Sequence, residues 1–246
     1  KHKLLNTLTR FLYGFSDSII CVSEGVESDF KSFYKKIDTA KISTIYNPVI
    51  NDAFFEKADS DITTALPWPS TSFYFIAVGR FVDQKDYPTL LQAFHIISKT
   101  HDVNLLILGN GPLRLQLITE AKNLGLESRV FCPGFVDNPF PYMKRANCYV
   151  LSSRWEGLPN ALVQAVSLGL QTISTDCPSG PREILEGGEL GILTPIQDVG
   201  ALAEAMRQVL ASPITEEEKQ HIKQVALMKY SVASITTQYI NKFIMS

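Results

Sequence analysis

Short apolar runs recur along this chain with helix-periodic segments between them, and that alternation restricts its fold more than any other feature. Residues 73–78, 103–108, 130–132, 147–151, 172–175 and 190–193 are too short for buried helices and read as strands. Between two of them, Leu90, Phe94 and Ile97 recur at helical spacing behind Asp86, an expected N-cap, with Pro88 in the first turn. Leu202, Met206 and Val209 do the same behind Asp198. Such alternation implies βα units around a parallel sheet with helices on both faces, a Rossmann-like α/β fold. A shorter unit precedes it. Residues 17–22 and 42–45 read as strands around a helix that Ser23 caps, running through Tyr34 with Glu24 and Glu27 in its first turn. Residues 4–13 also read as helix, and two further helical patterns end the chain.

Residues 46–72 contain Asn47-Pro48, Pro67 and Pro69 and few periodic apolar positions, the signature of a linker. The implied organisation is a domain tail over 1–46, a linker over 47–72, a Rossmann-like domain over 73–228 and a C-terminal helix over 229–246. The chain begins at Lys1 inside a basic and apolar segment, with no signal peptide, and reads as a piece of a longer protein. With 246 residues, 45% of them apolar, it can bury a sizeable core. A net charge of −2 argues against a nucleic-acid binder. No run approaches the roughly 18 apolar residues of a membrane span. Cys21, Cys132, Cys148 and Cys177 are scattered without CxxC spacing, which favours buried reduced thiols and a cytoplasmic setting. The four histidines are equally scattered, so neither a metal site nor a cofactor is expected.

In open sheets of this kind ligands bind beyond the carboxyl ends of the strands, and the conspicuous polar clusters all fall there. After the apolar run Cys148-Tyr149-Val150-Leu151, Glu156 sits at an expected strand-to-helix turn. Gly157 allows close approach, and Pro159 suits a helix's first turn. The N–H groups of Leu158, Asn160 and Ala161 would then face the mouth of the sheet, where a helix N-terminus favours an anion such as phosphate. After the strand at 73–78, Gly79-Arg80 and then Lys85 supply two cations that could complete a diphosphate clamp. Asn110, residues 135–137 and residues 179–183 are the other clusters. Each has a plain alternative: a solvated turn charge at Arg80, a tight turn at Gly109-Asn110-Gly111-Pro112, a helix cap at Glu156, a surface ion pair at Arg182-Glu183. Their convergence on one edge of the sheet favours a nucleotide-linked substrate.

Five segments in order, GRFVDQKDYPTLLQAF, LLILGNGP, VFCPGFVDN, SSRWEGLPNALVQAVSLG and TISTDCPSGPREIL, resemble the C-terminal half of retaining glycosyltransferases of the GT-B fold. The likeness is to the glycosyl transferases group 1 type that builds bacterial capsule, O-antigen and lipid-linked glycans. FSDSIICVSEGV and IYNPV extend it into the tail of a first, acceptor-binding domain. The resemblance implies transfer of a sugar from a nucleotide diphosphate sugar to a lipid-linked or glycan acceptor, without metal. Arg80 and Lys85 would hold the diphosphate, with Gly79 and Asn110 lining the site, and Glu156 would meet hydroxyls of the donor sugar. Gly157, Leu158, Pro159, Asn160 and Ala161 would line the phosphates, and Phe135 and Val136 would face the base. The family's second carboxylate, expected on the ribose, falls at Gln164, where this chain departs from the pattern. The loop 179–183 resembles the version found with uridine-diphosphate N-acetylhexosamines. For the full-length protein the resemblance implies an acceptor supplied by the first domain, and peripheral association with the inner face of a membrane. The rivals are a sugar-nucleotide epimerase on the same fold and a non-catalytic nucleotide-sugar-binding module. A glycan phosphorylase would need a lysine arranged for pyridoxal phosphate, and none stands out.

Overall fold

Within each apolar run, alternate residues serve different cores, as the pleat of a strand buried on both faces requires. A computed structural model describes residue 9, residues 12–62 and residues 72–244 of the chain. Six strands, β3 (Phe73–Val78), β4 (Val103–Leu108), β5 (Val130–Gly134), β6 (Cys148–Leu151), β7 (Gln171–Thr175) and β8 (Ile192–Thr194), form one sheet in the order β5-β4-β3-β6-β7-β8. Every neighbouring pair is parallel, with Phe73 opposite Val103 and Phe75 opposite Cys148. Tyr74, Ile76, Leu106, Leu108, Tyr149 and Leu151 face one core, and Phe75, Ala77, Leu105, Ile107, Cys148 and Val150 face the other.

The α-helices that begin and end within the described residues are α1 (Glu24–Phe33), α2 (Asp52–Ala58), α3 (Tyr87–Ser98), α4 (Arg114–Asn123), α5 (Phe140–Arg145), α6 (Asn160–Ser167), α7 (Pro181–Ile184), α8 (Val199–Ala211), α9 (Glu216–Tyr230) and α10 (Val232–Phe243). Leu90, Leu91, Phe94 and Ile97 of α3 pack with Leu202, Met206 and Val209 of α8 on one face, all fully buried. Leu162, Val163 and Val166 of α6 pack with Ile222 and Ala226 of α9 on the other. The chain thus forms the layered α/β architecture expected from its alternation. Ahead of it, β1 (Ile19–Cys21), α1 and β2 (Ile42–Thr44) make a small parallel unit with Ile19 opposite Ile42. Ser23 caps α1 by accepting from the Val26 N–H at 3.2 Å, and Asp198 caps α8 by accepting from the Ala201 N–H at 2.8 Å.

Several details differ from the sequence expectation for physical reasons. Strand β5 continues through Pro133 to Gly134, because an edge strand has no neighbour on one side to miss the absent N–H. The short helices α5 and α7 have too few turns to show a period. Of the helix expected over 4–13, Thr9, Leu12 and Tyr13 are described and helical, and the rest lies outside the described residues. Pro67 and Pro69 of the expected linker also lie outside them. The described part of that stretch holds α2, with Phe54 and Ala58 buried. Ile50 bridges Ser231 there, and the Val49 and Ile50 N–H groups donate to the Tyr230 carbonyl. The boundary expected at 228 falls inside α9, which ends at Tyr230 before Ser231 caps α10. Asp86 is no ordinary cap. Its backbone is left-handed, with φ 47° and ψ 46°, and its carboxylate turns to side chains instead of the helix N–H groups.

Candidate functional site

The strand order reverses direction between β3 and β6, so the loops leaving their carboxyl ends diverge and open a crevice between them. Residues 79–86 follow β3 and residues 152–159 follow β6, which brings together the two clusters that the sequence singled out. Lys85 Nζ lies 2.6 Å from Glu156 Oε1, with the side chains 16% and 8% exposed. Glu156 also accepts from Ser153 Oγ at 2.6 Å and from Gln84 Nε2 at 3.3 Å. The roles expected for Lys85 and Glu156 place them on different parts of a ligand, whereas here they hold each other. A phosphate arriving at Lys85 must therefore share or displace that carboxylate. Arg80 is exposed and forms no ion pair with a described residue, leaving its guanidinium open to an anion.

Helix α6 starts at Asn160, with Pro159 as the residue before it instead of inside its first turn. The N–H groups of Leu158, Asn160 and Ala161 meet no acceptor among the described residues. Orphan donors at the positive end of a helix dipole are an anion site in waiting. Gln164 is half-buried one turn after Ala161 on the same helix face. Asn160 Oδ1 accepts from Asn47 Nδ2 at 3.0 Å, tying the segment after β2 to this turn.

A cavity of about 310 Å³ opens beside Arg80, lined by Gly79, Asn110, Phe135, Val136 and Asp137. Phe135 is 70% exposed, an apolar face left for a planar group. The Gly109-Asn110-Gly111-Pro112 turn shapes one wall of this cavity by close packing. A Cβ on Gly109, at φ 144°, would lie 1.9 Å from the Gly79 carbonyl oxygen, so only glycine lets the two loops touch. The Phe81 N–H donates to the Asn110 carbonyl at 2.9 Å across the same contact. Asn110 Oδ1 accepts from the Gly111 N–H.

A second cavity, about 490 Å³, lies between the start of α1 and the loop before α7, lined by Glu24, Gly25, Asp176, Ser179, Arg182 and Glu183. Arg182 and Glu183 do not pair with each other as expected. Arg182 pairs with Asp176, while the Glu183 carboxylate accepts from the Glu24 and Gly25 N–H groups at 2.8 and 3.4 Å. It accepts also from the Gly180 N–H at 3.0 Å and the Tyr46 hydroxyl at 3.1 Å. A carboxylate 159 residues away in sequence thus satisfies the N-terminus of α1. Gly25 permits the approach, since a Cβ there would lie 2.7 Å from Ser179 Cα. Burial, with the nearby Glu183 and Glu24 charges, pushes the Tyr46 phenol far up, so it stays a donor. Sequence reading placed Glu183 in a strand-end cluster but not its partners at the start of α1, and it missed Tyr46, Gln84 and Ser153 as site neighbours, because no local pattern marks contacts between distant loops. The cysteines are free, with Cys132 half-buried and the other three buried. Among the described residues no group of three or more His, Cys, Asp or Glu could hold a metal, and no helix is long and apolar enough to cross a membrane. A cavity of about 910 Å³ lies at the amino ends of β7 and β8, between Gln171, Ile192 and His221. It is bigger than either crevice cavity but assembles no comparable set of cations and orphan donors, so size does not locate the site here.

The sequence profile of the family described as "Glycosyl transferases group 1" matches residues 59–227. An uncharacterised glycosyltransferase of Methanocaldococcus jannaschii is 35% identical over 192 residues, covering 74% of this chain and 45% of that protein. The N-acetylgalactosamine-N,N'-diacetylbacillosaminyl-diphospho-undecaprenol 4-alpha-N-acetylgalactosaminyltransferase of Campylobacter jejuni is 29% identical over 203 residues, covering 82% of this chain and 53% of that protein. The chain therefore spans about half the length of these curated relatives. Among solved structures, Anabaena Alr3699/HepE in complex with UDP superposes with a TM-score of 0.82 at 18% identity, covering 98% of this chain and 67% of that one. At that identity the likeness carries the fold alone.

Proposed function

Because this chain belongs to the glycosyl transferases group 1 family, we propose that it is the donor-binding half of a retaining glycosyltransferase. The donor is a nucleotide diphosphate sugar, with a uridine-diphosphate N-acetylhexosamine as the first candidate. The acceptor is lipid-linked or a glycan, held by a part of the protein outside this chain, which works at the cytoplasmic face of a membrane. The observation that carries the reading is the crevice at the strand-order reversal. Arg80, Lys85 and the N-terminus of α6 converge there beside a cavity walled by Phe135 and Val136. Cations and oriented N–H groups of this kind stabilise charge as it develops on a departing diphosphate, the work a metal ion does at other phosphate sites. One relative and one structural neighbour agree with the substrate class. The Campylobacter relative is named for N-acetylgalactosamine transfer to an undecaprenyl-diphosphate-linked glycan, and the Anabaena neighbour holds UDP.

In the reaction, the bond from the anomeric carbon to the diphosphate oxygen breaks while the acceptor hydroxyl adds to that carbon on the same face. The hydroxyl proton passes to the departing diphosphate, which needs no protein nucleophile. Arg80 and Lys85 neutralise the leaving group, and Glu156 orients the sugar by accepting from its hydroxyls once Lys85 turns to phosphate. Calorimetric titration of the protein with UDP, GDP, ADP and dTDP, each with and without chelator, tests the reading. One diphosphate should bind, with unchanged affinity in chelator and well above that of its nucleoside. Binding of none of the four, or equal affinity for nucleoside and diphosphate, refutes it.

A further inference from the structure

The two loops of the crevice are joined by contacts that none of the roles above uses. Asp86 follows Lys85 directly, is 1% exposed, and holds a left-handed backbone that a residue with a side chain keeps only where its surroundings enforce it. The enforcing contacts are visible. Asp86 Oδ1 accepts from Arg154 Nη2 at 3.1 Å, and Oδ2 accepts from Thr89 Oγ1 at 2.8 Å. Arg154 lies two residues before Glu156, and its backbone N–H donates to the Gln84 carbonyl at 2.8 Å. Gln84 Nε2 donates to the Trp155 carbonyl at 2.8 Å, and Ser152 Oγ donates to the Lys85 carbonyl at 2.7 Å. Residues 84, 85 and 86 are thus each fastened to residues 152–156, and Lys85 is the middle one. The Arg154–Asp86 pair is the charged element in this set, and its carboxylate is shielded from solvent and salt.

A purely structural role would place the pair where it anchors α3, but that helix is already held by Leu90, Leu91, Phe94 and Ile97 in the core. What the pair adds to the neighbouring hydrogen bonds is a charged hold on the backbone just before the helix, where the ammonium of Lys85 is launched. The Arg154 Nε atom is buried without a partner, so the guanidinium sits where Asp86 wants it and not where its own hydrogen bonds would be most complete.

We propose that Arg154 and Asp86 are positioning residues for the diphosphate. Their ion pair locks residues 84–86 against residues 152–156, so that Lys85 meets the phosphate in a fixed register with Glu156. Neither touches the ligand. The proposal rests on the donor-site reading above.

The test uses the protein with Arg154→Ala, Arg154→Lys and Asp86→Asn. Asparagine keeps the bond from Thr89 and tolerates the left-handed backbone, so this variant retains its fold. The probes are whichever of UDP, GDP, ADP and dTDP binds the parent, and its nucleoside. Arg154→Ala and Asp86→Asn should each weaken diphosphate binding by about tenfold, with nucleoside affinity within about twofold, the scale of one misplaced charge-assisted contact. The two changes combined should lose no more than either alone, because they break one pair. Arg154→Lys should recover part of the loss, since the contact runs through a single nitrogen. Millimolar guanidinium should restore the Arg154→Ala variant and leave Asp86→Asn unmoved. Equal losses for diphosphate and nucleoside, parental affinity in both single variants, or failure of guanidinium to rescue overturns the proposal. A parent that binds none of the four diphosphates removes the donor-site reading and this inference with it. A parent that binds while the variants match it removes this inference alone.

Discussion

Removing both members of the Lys85–Glu156 pair should cost less stability than the two single removals added together. The two charges lie 2.6 Å apart with side chains 16% and 8% exposed, so little water screens them. At an effective dielectric near 20 their gross attraction is about 6 kcal/mol, most of it offset by the cost of taking both from water. Breaking such a pair from one side typically costs about 3–5 kcal/mol, because the survivor is left as an uncompensated buried charge. The two sides are unequal here. In Glu156→Ala the surviving lysine has a four-carbon stem that can swing its ammonium outward, which puts the loss at about 2–3 kcal/mol. In Lys85→Ala the surviving carboxylate is the less exposed partner, and Ser153 and Gln84 hold it in place. Its loss should stand at about 3–5 kcal/mol. The double variant should be more stable than the sum of the single losses implies, by about 2–3 kcal/mol of coupling. Urea unfolding of the four proteins, free of phosphate and nucleotide, measures this directly. Coupling below about 0.5 kcal/mol, the scatter expected of independent sites, would refute the pair as drawn. The same variants report on function. Glu156→Ala frees Lys85, so affinity for the bare diphosphate should hold or rise while that for the sugar nucleotide falls.

The remaining expectations concern other parts of the crevice and the core. Gln164→Glu should strengthen bare nucleotide and sugar nucleotide alike by about 1 kcal/mol if the residue meets the ribose, since a charged acceptor replaces a neutral one; unchanged titrations would place it in solvent. Gly109→Ala forces the Gly79 carbonyl away from a Cβ at 1.9 Å, so nucleoside binding in the 310 Å³ cavity should be lost even where the protein stays folded, as calorimetry and circular dichroism would show together. Burial, with the Glu156 charge adding to it, pushes the Cys177 thiol up to about 12 from its ordinary 9.0. The folded state therefore keeps a proton that the unfolded chain loses. The stability tied to this thiol is complete below pH 9 and falls as pH rises toward 12, by about 1.4 kcal/mol per pH unit. Urea midpoints between pH 8 and 11 should fall less steeply in Cys177→Ser than in the parent, and parallel curves would show that the thiol does not titrate in this way.

The sheet was legible in the sequence because its strands are buried on both faces, and continuous runs such as FYFIAV and VNLLIL have no other comfortable state. The caps at Ser23 and Asp198 were legible because capping is local, a side chain meeting an N–H three residues on. The candidate site was legible as a set of positions, Arg80, Lys85, Glu156 and the start of α6, because strand ends place their loops on one edge whatever the loops contain. Its internal arrangement was not. That Lys85 grips Glu156, that Asp86 turns left-handed to reach Arg154 instead of capping α3, and that Glu183 caps a helix 159 residues earlier all depend on which strands are neighbours. The sequence by itself determined the elements and the edge on which the chemistry sits, since those follow from periodicity and local hydrogen bonding. Only the tertiary structure decided which charge faces which, because the reversal of strand order between β3 and β6 brings together loops that the chain separates by some seventy residues, and at 2.6 Å Coulomb's law outweighs any local preference.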